Sequence, residues 1–121
     1  YGYAKISKSE KDRFAELMEG YFQSGRNIKL VVQLVDMRHK PSADDIGMIS
    51  FLNEFELPYI IVLTKADKLK KKEYAARLAA MPEELGNPAV PIIPFSAQNG
   101  LGVDEVKKMI EKSFNSQEDN E

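Results

Sequence analysis

The residue types best suited to chemistry stand together in one short segment, residues 64–67, with the sequence TKAD. A carboxylate such as that of Asp67 can accept two hydrogen bonds from adjacent donors on a planar ring. Guanine carries such a pair, a ring N–H beside an exocyclic amine, and adenine has no equivalent edge. Lys65 can lay its aliphatic stem along the face of the same ring. Taken alone, the segment is equally compatible with a solvated turn in which Asp67 caps a helix.

A second polar segment follows the next apolar run and reads FSA, at Phe95, Ser96 and Ala97. A backbone N–H at Ala97 can donate to the carbonyl oxygen of the same base, and Ser96 can brace the loop. Alone, this segment is compatible with a turn that ends at Asn99 and Gly100. The two segments together are far more specific than either one, because both would address a single base.

The elements that must position these segments alternate between buried strands and amphipathic helices. Continuous apolar, β-branched runs predict parallel strands buried on both faces, at residues 30–36, 59–63 and 92–95. Helical spacing predicts helices at residues 7–22, 42–55, 72–85 and 103–114. Ser42 and Asp45 can form a capping box at the start of the second helix. The helical residues expected to face inward include Ile46, Ile49, Leu52, Val106 and Ile110.

This order predicts an α/β fold, a parallel sheet of three strands with flanking helices and right-handed crossovers. In open α/β sheets, ligands bind beyond the carboxyl ends of the strands. Asp36, residues 64–67 and residues 96–98 all stand at those ends. We therefore expect one site, at the carboxyl edge of the sheet.

Length and composition limit the class of protein. A chain of 121 residues and 13.7 kDa allows one domain. The formal net charge of −2 excludes a protein that binds nucleic acid through its overall charge, although a local basic patch stays possible. The lack of cysteine excludes a disulfide scaffold, and a single histidine argues against a His-based zinc site. No apolar run approaches transmembrane length and no signal peptide opens the chain, so we expect a soluble, cytoplasmic protein.

The two site segments resemble the guanine-specificity loops of P-loop GTPases of the translation-factor class. Further stretches narrow the resemblance: YGYAK from Tyr1, VDMRHKP from Val35, and the pair Asp44 and Asp45. With them, the chain is similar to the C-terminal portion of EngB-type GTPases (also called YihA or YsxC), which are bacterial ribosome-assembly factors. The resemblance runs from Tyr1 to about Phe114, and the VD-x-RH-x-P stretch is not shared by GTPases at large.

The resemblance implies a role for each residue of the guanine site. Asp67 would bind the guanine edge, and Lys65 would pack on the ring. Thr64, where many GTPases have Asn, would tie its loop to the phosphate loop. Ala97 would offer its N–H to the base oxygen. The remaining residues of the predicted site would shape this second loop: Phe95 and Ser96.

The resemblance also implies the fold of the C-terminal half of a P-loop GTPase domain (Rossmann-like, three-layer), at residues 1–114, followed by a polar, acidic tail at residues 115–121. The sequence begins with Tyr1 rather than Met, and we expect it to be a piece of a longer protein. In the family, Tyr1 would follow a D-x-P-G motif, where Ras-like enzymes place a catalytic glutamine. A tyrosine cannot orient water as a glutamine does, so slow intrinsic hydrolysis that awaits a partner is expected.

The sequence departs from the family in its phosphate chemistry. It contains no G-x-x-x-x-G-K-[ST], no D-x-P-G and no effector threonine, which lie upstream of Tyr1 in the family. We expect the guanine-recognition half of a GTPase, with no catalytic residue or metal ligand of its own. GTP and GDP would bind with millimolar or weaker affinity and without measurable hydrolysis, because contacts to the base alone must offset the cost of association. Magnesium would be held only by ligands outside this chain.

The implied partners follow from the same resemblance, which points to assembly of the large ribosomal subunit and to cell division. Ribosomal RNA or a ribosomal subunit would be the partner. The lysine-rich stretch at residues 68–72 either contacts RNA phosphates or is the solvated start of a helix. The strand from Leu30 to Asp36 would lie beside a strand missing here, with its edge and both apolar faces uncovered. Self-association through that strand, or a partner chain that supplies the missing part, is therefore expected.

Two other classes of protein compete with this interpretation. A phospho-acceptor receiver domain has similar length and carries Asp, Thr and Lys at strand ends. However, no strand with paired acids opens the chain, and Lys65 directly follows Thr64. A non-enzymatic α/β module that binds RNA or protein through the lysine-rich stretch remains open. Discrimination between guanine and adenine would separate a GTP-binding protein from such a module, and acetyl-phosphate labelling of Asp36 would favour a receiver.

Overall fold

The computed structural model describes residue 16 and residues 28–119. Within that part, three parallel strands form one sheet in the order β1-β2-β3, with helices beside it. The elements are β1 (Val31–Asp36), α1 (Ala43–Glu54), β2 (Tyr59–Thr64), a 3₁₀ turn (Ala66–Lys68), α2 (Lys71–Glu84), β3 (Ile92–Pro94) and α3 (Val103–Asp119). The predicted α/β fold is confirmed. The helix predicted at residues 7–22 lies outside the described residues, apart from residue 16.

The central strand of the sheet is β2, and its sequence explains that position. Its residues YIIVL are all buried, which is typical of a parallel strand covered on both faces. Asp36 of β1 lies opposite Thr64, and Leu63 lies opposite Pro94 of β3. The parallel register therefore places the carboxyl ends of all three strands at one edge of the sheet.

The ends of the helices follow local signals in the sequence. The capping box predicted for α1 is confirmed: the Asp45 N–H donates to Ser42 Oγ and the Ser42 N–H donates to Asp45 Oδ2, each at 3.0 Å. After α2 the chain turns at Gly86, which has a φ of 84° that favours glycine. The last helix, α3, continues to Asp119, beyond the predicted end at residue 114, because neither Gly nor Pro interrupts this part of the sequence.

The two faces of the sheet are covered unequally. The face that packs against α1 and α2, called the α1/α2 face, forms the larger cluster of buried residues: Val35, Met37, Ile49, Leu52, Leu57, Tyr59, Ile61, Leu63, Ala66, Met81 and Leu85. The opposite face, called the α3 face, has a smaller cluster with Val106 and Met109 of α3 packed against it: Ile60, Val62 and Ile93. The α1/α2 face therefore buries most of the apolar core residues among those that the structure describes.

The edge strand β1 shows the same inequality. Val35, on the α1/α2 face, is 1% exposed, whereas Val32 and Leu34, on the other face, are 36% and 43% exposed. The continuous apolar run predicted a strand buried on both faces, which is wrong for the face that carries Val32 and Leu34. The resemblance to the family led us to expect both faces uncovered, which is wrong for the face that carries Val35, because the α1/α2 cluster covers it.

Two helical residues expected to face inward do not. Ile46 of α1 and Ile110 of α3 are 38% and 36% exposed. The packed stripe runs through Ile49 and Leu52 in α1 and through Val106 and Met109 in α3. Because successive helical residues are about 100° apart, Ile46 and Ile110 fall on the flanks of these stripes.

Candidate guanine-binding site

The loops that follow β2 and β3 are joined to each other at the carboxyl edge of the sheet. The Ala66 N–H donates to the Phe95 carbonyl at 3.2 Å, and the Phe95 N–H donates to the Leu63 carbonyl at 2.8 Å. These bonds continue the β2–β3 ladder past the end of β3. The structure thus brings the two predicted segments, TKAD and FSA, into direct contact.

Ser96 connects the two loops through its side chain. It is 1% exposed, and its Oγ donates to Asp67 Oδ1 at 2.8 Å. The same oxygen accepts from the Gln98 N–H at 3.1 Å and the Asn99 N–H at 3.3 Å. A hydroxyl has one donor and two acceptor positions, so all three are used. The bracing role predicted for Ser96 thus has a specific geometry in the structure.

The Asp67 carboxylate is held in its charged form. The hydrogen bond from the Ser96 hydroxyl lowers the pKa of Asp67, and the nearby Lys68 ammonium, with Nζ at 3.7 Å from Oδ2, adds to the effect. A carboxylate offers about four acceptor positions, of which Ser96 occupies one. Asp67 is therefore a charged acceptor that the Ser96 hydroxyl orients.

The loop after β3 closes on itself beside Asp67. The Ser96 N–H donates to the Leu101 carbonyl, and the Gly100 N–H donates to the Ser96 carbonyl, each at 3.0 Å. Gly102 has a φ of 77°, and a Cβ there would collide with the Pro94 carbonyl oxygen. Ala97 lies exposed at the tip, and its N–H has no hydrogen-bond partner within residues 28–119.

Lys65 and Thr64 connect the site to β1. Lys65 has a φ of 64°, an unusual value for a residue with a side chain, so the chain turns sharply there. Its Nζ lies 3.8 Å from Asp36 Oδ2, and its side chain is 54% exposed. Thr64 Oγ1 donates to the Val35 carbonyl at 3.4 Å. Thr64 and Lys65, the first two residues of the TKAD segment, therefore contact the strand next to their own.

Ion pairs between side chains hold the loop after β1. Asp36 Oδ1 accepts from the backbone N–H of Arg38 at 2.9 Å and from its Nε at 3.1 Å, and Oδ2 accepts from Nη2 at 2.8 Å. The hydrogen bond from the Arg38 side chain lowers the pKa of Asp36. The Asp36 carboxylate is thereby fixed in orientation at the edge of the site.

Arg77 of α2 is a structural residue of this edge that the sequence did not reveal. Its Nε donates to the Met37 carbonyl at 3.0 Å, and its Nη2 donates to the His39 carbonyl at 2.7 Å. Glu84 holds the other side of the guanidinium with two bonds of 3.1 and 2.8 Å. An Arg and a Glu two helical turns apart are visible in the sequence, but contacts to distant backbone carbonyls leave no sequence signal.

The part of the chain described by the structure contains no group of three or more His, Cys, Asp or Glu residues that could hold a metal ion. Among the described helices, none is both long and apolar enough to cross a membrane.

Comparison with known proteins identifies the family to which this chain belongs. Residues 13–116 match the family model described as the elongation factor Tu GTP binding domain. The match extends over most of the chain and includes both site loops. The chain belongs to this family of GTP-binding domains.

Within that family, the chain is similar to proteins named "Probable GTP-binding protein EngB". It is 40% identical to the one from Bacillus cereus (strain G9842) over 116 residues, which are 93% of this chain and 57% of the relative. It is 45% identical to the one from Exiguobacterium sibiricum over 105 residues, 86% of this chain and 54% of the relative. The predicted EngB-type resemblance is confirmed, and the chain spans about half the length of these relatives.

Solved structures with the same fold include two from this class of proteins. The apo form of translation elongation factor SelB from Methanococcus maripaludis matches with a TM-score of 0.65 and 29% identity, over 84% of this chain and 23% of that one. A probable GTP-binding protein engB matches with a TM-score of 0.65 and 23% identity, over 96% of this chain and 76% of that one. The second likeness bears on the fold alone.

Proposed function

We propose that this chain binds guanine nucleotides through the loops after β2 and β3, with Asp67 as the acceptor for the guanine edge. The hydrogen bond from Ser96 Oγ to Asp67 Oδ1, at 2.8 Å, carries the proposal. It orients a charged carboxylate in advance, so binding need not order that group. The ring N–H and the exocyclic amine of guanine would fill the acceptor positions that Ser96 leaves.

The other site residues complete recognition of the base. The exposed Lys65 side chain packs its stem on the ring, and the Ala97 N–H donates to the base carbonyl. Phe95 positions the second loop, since its side chain packs against the small cluster on the α3 face and its carbonyl accepts from Ala66. Thr64 would tie its loop to a phosphate loop, a motif that this sequence does not contain.

We propose that affinity is millimolar or weaker and that the chain alone does not hydrolyse GTP. Hydrogen bonds to a charged acceptor contribute about 1.5–3 kcal/mol each. Association costs roughly 4–15 kcal/mol before any gain. Without contacts to the phosphates, little net binding energy remains. Binding of GDP at micromolar concentration in a calorimeter would contradict this proposal.

The test of base recognition is a titration of the ¹⁵N-labelled chain, followed by NMR, with guanosine monophosphate and, in parallel, adenosine monophosphate. We expect saturable shifts of the Ala97 and Ser96 amides in the millimolar range with the guanine nucleotide alone. The adenine nucleotide carries the same sugar and phosphate, so it is the matched control. Equal shifts with both nucleotides would overturn guanine recognition.

A nucleic-acid partner is the second part of the proposal, with ribosomal RNA of the large subunit as the partner and ribosome assembly and cell division as the setting. The resemblance to EngB-type GTPases supports it, together with four exposed lysines beside the site: Lys68, Lys70, Lys71 and Lys72. Each lysine that neutralises a phosphate makes binding more salt-dependent. Ribosome assembly takes place in the cytoplasm, so the proposal includes that location. A plain RNA- or protein-binding module is the alternative that loss of guanine discrimination would favour.

The RNA proposal is tested by filter binding of large-subunit ribosomal RNA at several salt concentrations. Changing Lys70, Lys71 and Lys72 to Gln should weaken binding and reduce its salt dependence. The control changes two exposed lysines of α3, Lys107 and Lys108, to Gln, and should bind like the unchanged chain. An equal loss in both variants would mean that the charge as a whole, and not this stretch, binds RNA.

Self-association through the strand from Leu30 to Asp36 is the third part. Only one edge of β1 pairs within the described residues, and Val32 and Leu34 leave apolar surface on one face of this strand. A second copy, or the remainder of a longer protein, would cover it. Light scattering at high concentration should detect dimers that the substitution Leu34→Lys removes. A stable monomer at every concentration would contradict self-association.

A further inference from the structure

Asp36 lies beside the guanine site without being part of it, and its carboxylate contacts two cations. Arg38 donates three hydrogen bonds to it, two of them to Oδ1 and one to Oδ2. The Lys65 ammonium lies 3.8 Å from Oδ2, within ion-pair distance. Because Arg38 donates to both oxygens, it orients the carboxylate beside the Lys65 ammonium.

The backbone places this carboxylate next to Lys65. Asp36 pairs with Thr64 in the β1–β2 register, and the Met37 N–H donates to the Thr64 carbonyl at 3.0 Å. The β1 and β2 segments therefore separate only after residue 64, where Lys65 takes its left-handed conformation. On the far side, Arg77 holds the Met37 carbonyl and keeps the β1 loop in place.

We propose that Asp36 is a positioning residue for nucleotide binding, one that holds the Lys65 side chain over the place where the base packs. This inference rests on the proposed guanine site. A lysine side chain has large rotational freedom, and a contact that restricts it before binding lowers the entropy lost on binding. Asp36 itself touches no base in this account and acts through Lys65 alone.

The first test needs no nucleotide. Relaxation of the ¹³C-labelled Lys65 ε-methylene should show greater mobility in Asp36→Asn than in the unchanged chain. Lys68 is the matched control, since its side chain has the same 54% exposure but pairs with Asp67. Its ε-methylene should be unaffected. Unchanged mobility of Lys65 would overturn the positioning role, whatever the chain binds.

The second test is a double-mutant cycle read by guanosine monophosphate binding. Asp36→Asn should weaken binding about two- to fivefold, the range for a solvent-exposed ion pair. The effect should disappear when Lys65→Met, which keeps the stem and removes the charge, is already present. With Lys68→Met in place of Lys65→Met, the full effect of Asp36→Asn should persist. Equal effects in both backgrounds would indicate a merely structural role and overturn the inference.

The two tests also distinguish failure of this inference from failure of the proposed function. Should the unchanged chain bind guanosine and adenosine monophosphate equally, the guanine site itself is wrong. Asp36 then has no role in nucleotide binding, even if it orders the Lys65 side chain. Should guanine preference hold while Asp36→Asn changes neither mobility nor affinity, only the inference about Asp36 is wrong.

Discussion

The loops at the carboxyl edge of the sheet are held in two different ways. The loops after β2 and β3 are joined by backbone hydrogen bonds and by the buried hydroxyl of Ser96. The loop after β1 is held by long charged side chains, in the pairs Asp36–Arg38 and Arg77–Glu84. The proposed base-binding groups lie on the first pair of loops, and the residue proposed to position Lys65 lies on the β1 loop.

The difference teaches which part of the site withstands a change of solvent. Hydrogen bonds among buried or backbone groups respond little to salt, whereas ion pairs near the surface are screened by it. The acceptor Asp67 should therefore keep its orientation across conditions. The Lys65 side chain, which depends on the β1 loop, should be the variable part of the site.

The largest expected effect comes from breaking the β3 loop at Gly102. In Gly102→Ala, a positive φ and a collision with the Pro94 carbonyl oxygen act together. We expect a loss of about 2–4 kcal/mol in the free energy of unfolding, measured with urea. Gly100→Ala is the control: its φ is 82° but its Cβ would meet nothing within 4 Å, so about 1–2 kcal/mol should be lost. Equal losses in the two variants would mean that the collision between the new Cβ and the Pro94 carbonyl oxygen adds no destabilisation.

The next effect comes from removing the hydroxyl that joins the two loops. Ser96→Ala leaves Asp67 Oδ1 and two backbone N–H groups without their shared partner. We expect a loss of about 1–3 kcal/mol in the free energy of unfolding, together with weaker guanosine monophosphate binding. Ser113→Ala on α3 removes a hydroxyl that bonds only within its own helix, and stability should stay within about 0.5 kcal/mol. Unchanged nucleotide binding in Ser96→Ala would show that Asp67 needs no orientation.

A smaller effect is expected on the β1 loop, where Arg77→Ala removes the contacts to the Met37 and His39 carbonyls. We expect a loss of about 1–2 kcal/mol in the free energy of unfolding. Arg77→Lys should recover only part of it, because an ammonium cannot reproduce the planar set of donors. In high salt, the loss of unfolding free energy caused by Arg77→Ala should become smaller. The loss caused by Ser96→Ala should not change. Equal salt responses would remove the contrast between the loops.

The smallest expected effect is on how the free energy of unfolding depends on pH in acid. Arg38 lowers the pKa of Asp36 in the folded chain, so the stabilisation from this carboxylate is complete above its unfolded pKa of about 4 and is lost as the pH falls through the lower folded value. In Asp36→Asn, the free energy of unfolding should therefore decline less steeply below about pH 4 than in the unchanged chain. Urea unfolding at a series of pH values measures both slopes. Parallel declines would show that Asp36 contributes nothing to acid sensitivity.

The sequence predicted what is determined locally or by the parallel sheet. The strands, the Ser42 capping box and the meeting of the TKAD and FSA segments all follow from short patterns and from the common edge of parallel strands. The exposure of Ile46 and of Val32 did not follow, because it depends on how much of each surface another element covers. The contacts of Arg77 did not follow either, since backbone carbonyls carry no residue-specific signal.

The central claim, that Asp67 reads the guanine edge, is tested most directly by changing its hydrogen-bonding pattern. In Asp67→Asn the side chain gains an N–H donor, which suits xanthine, where a carbonyl replaces the exocyclic amine of guanine. Titrations followed by amide shifts should show that the unchanged chain prefers guanosine to xanthosine monophosphate and that Asp67→Asn prefers xanthosine. If Asp67→Asn keeps the original preference, Asp67 does not contact the base and the account is wrong.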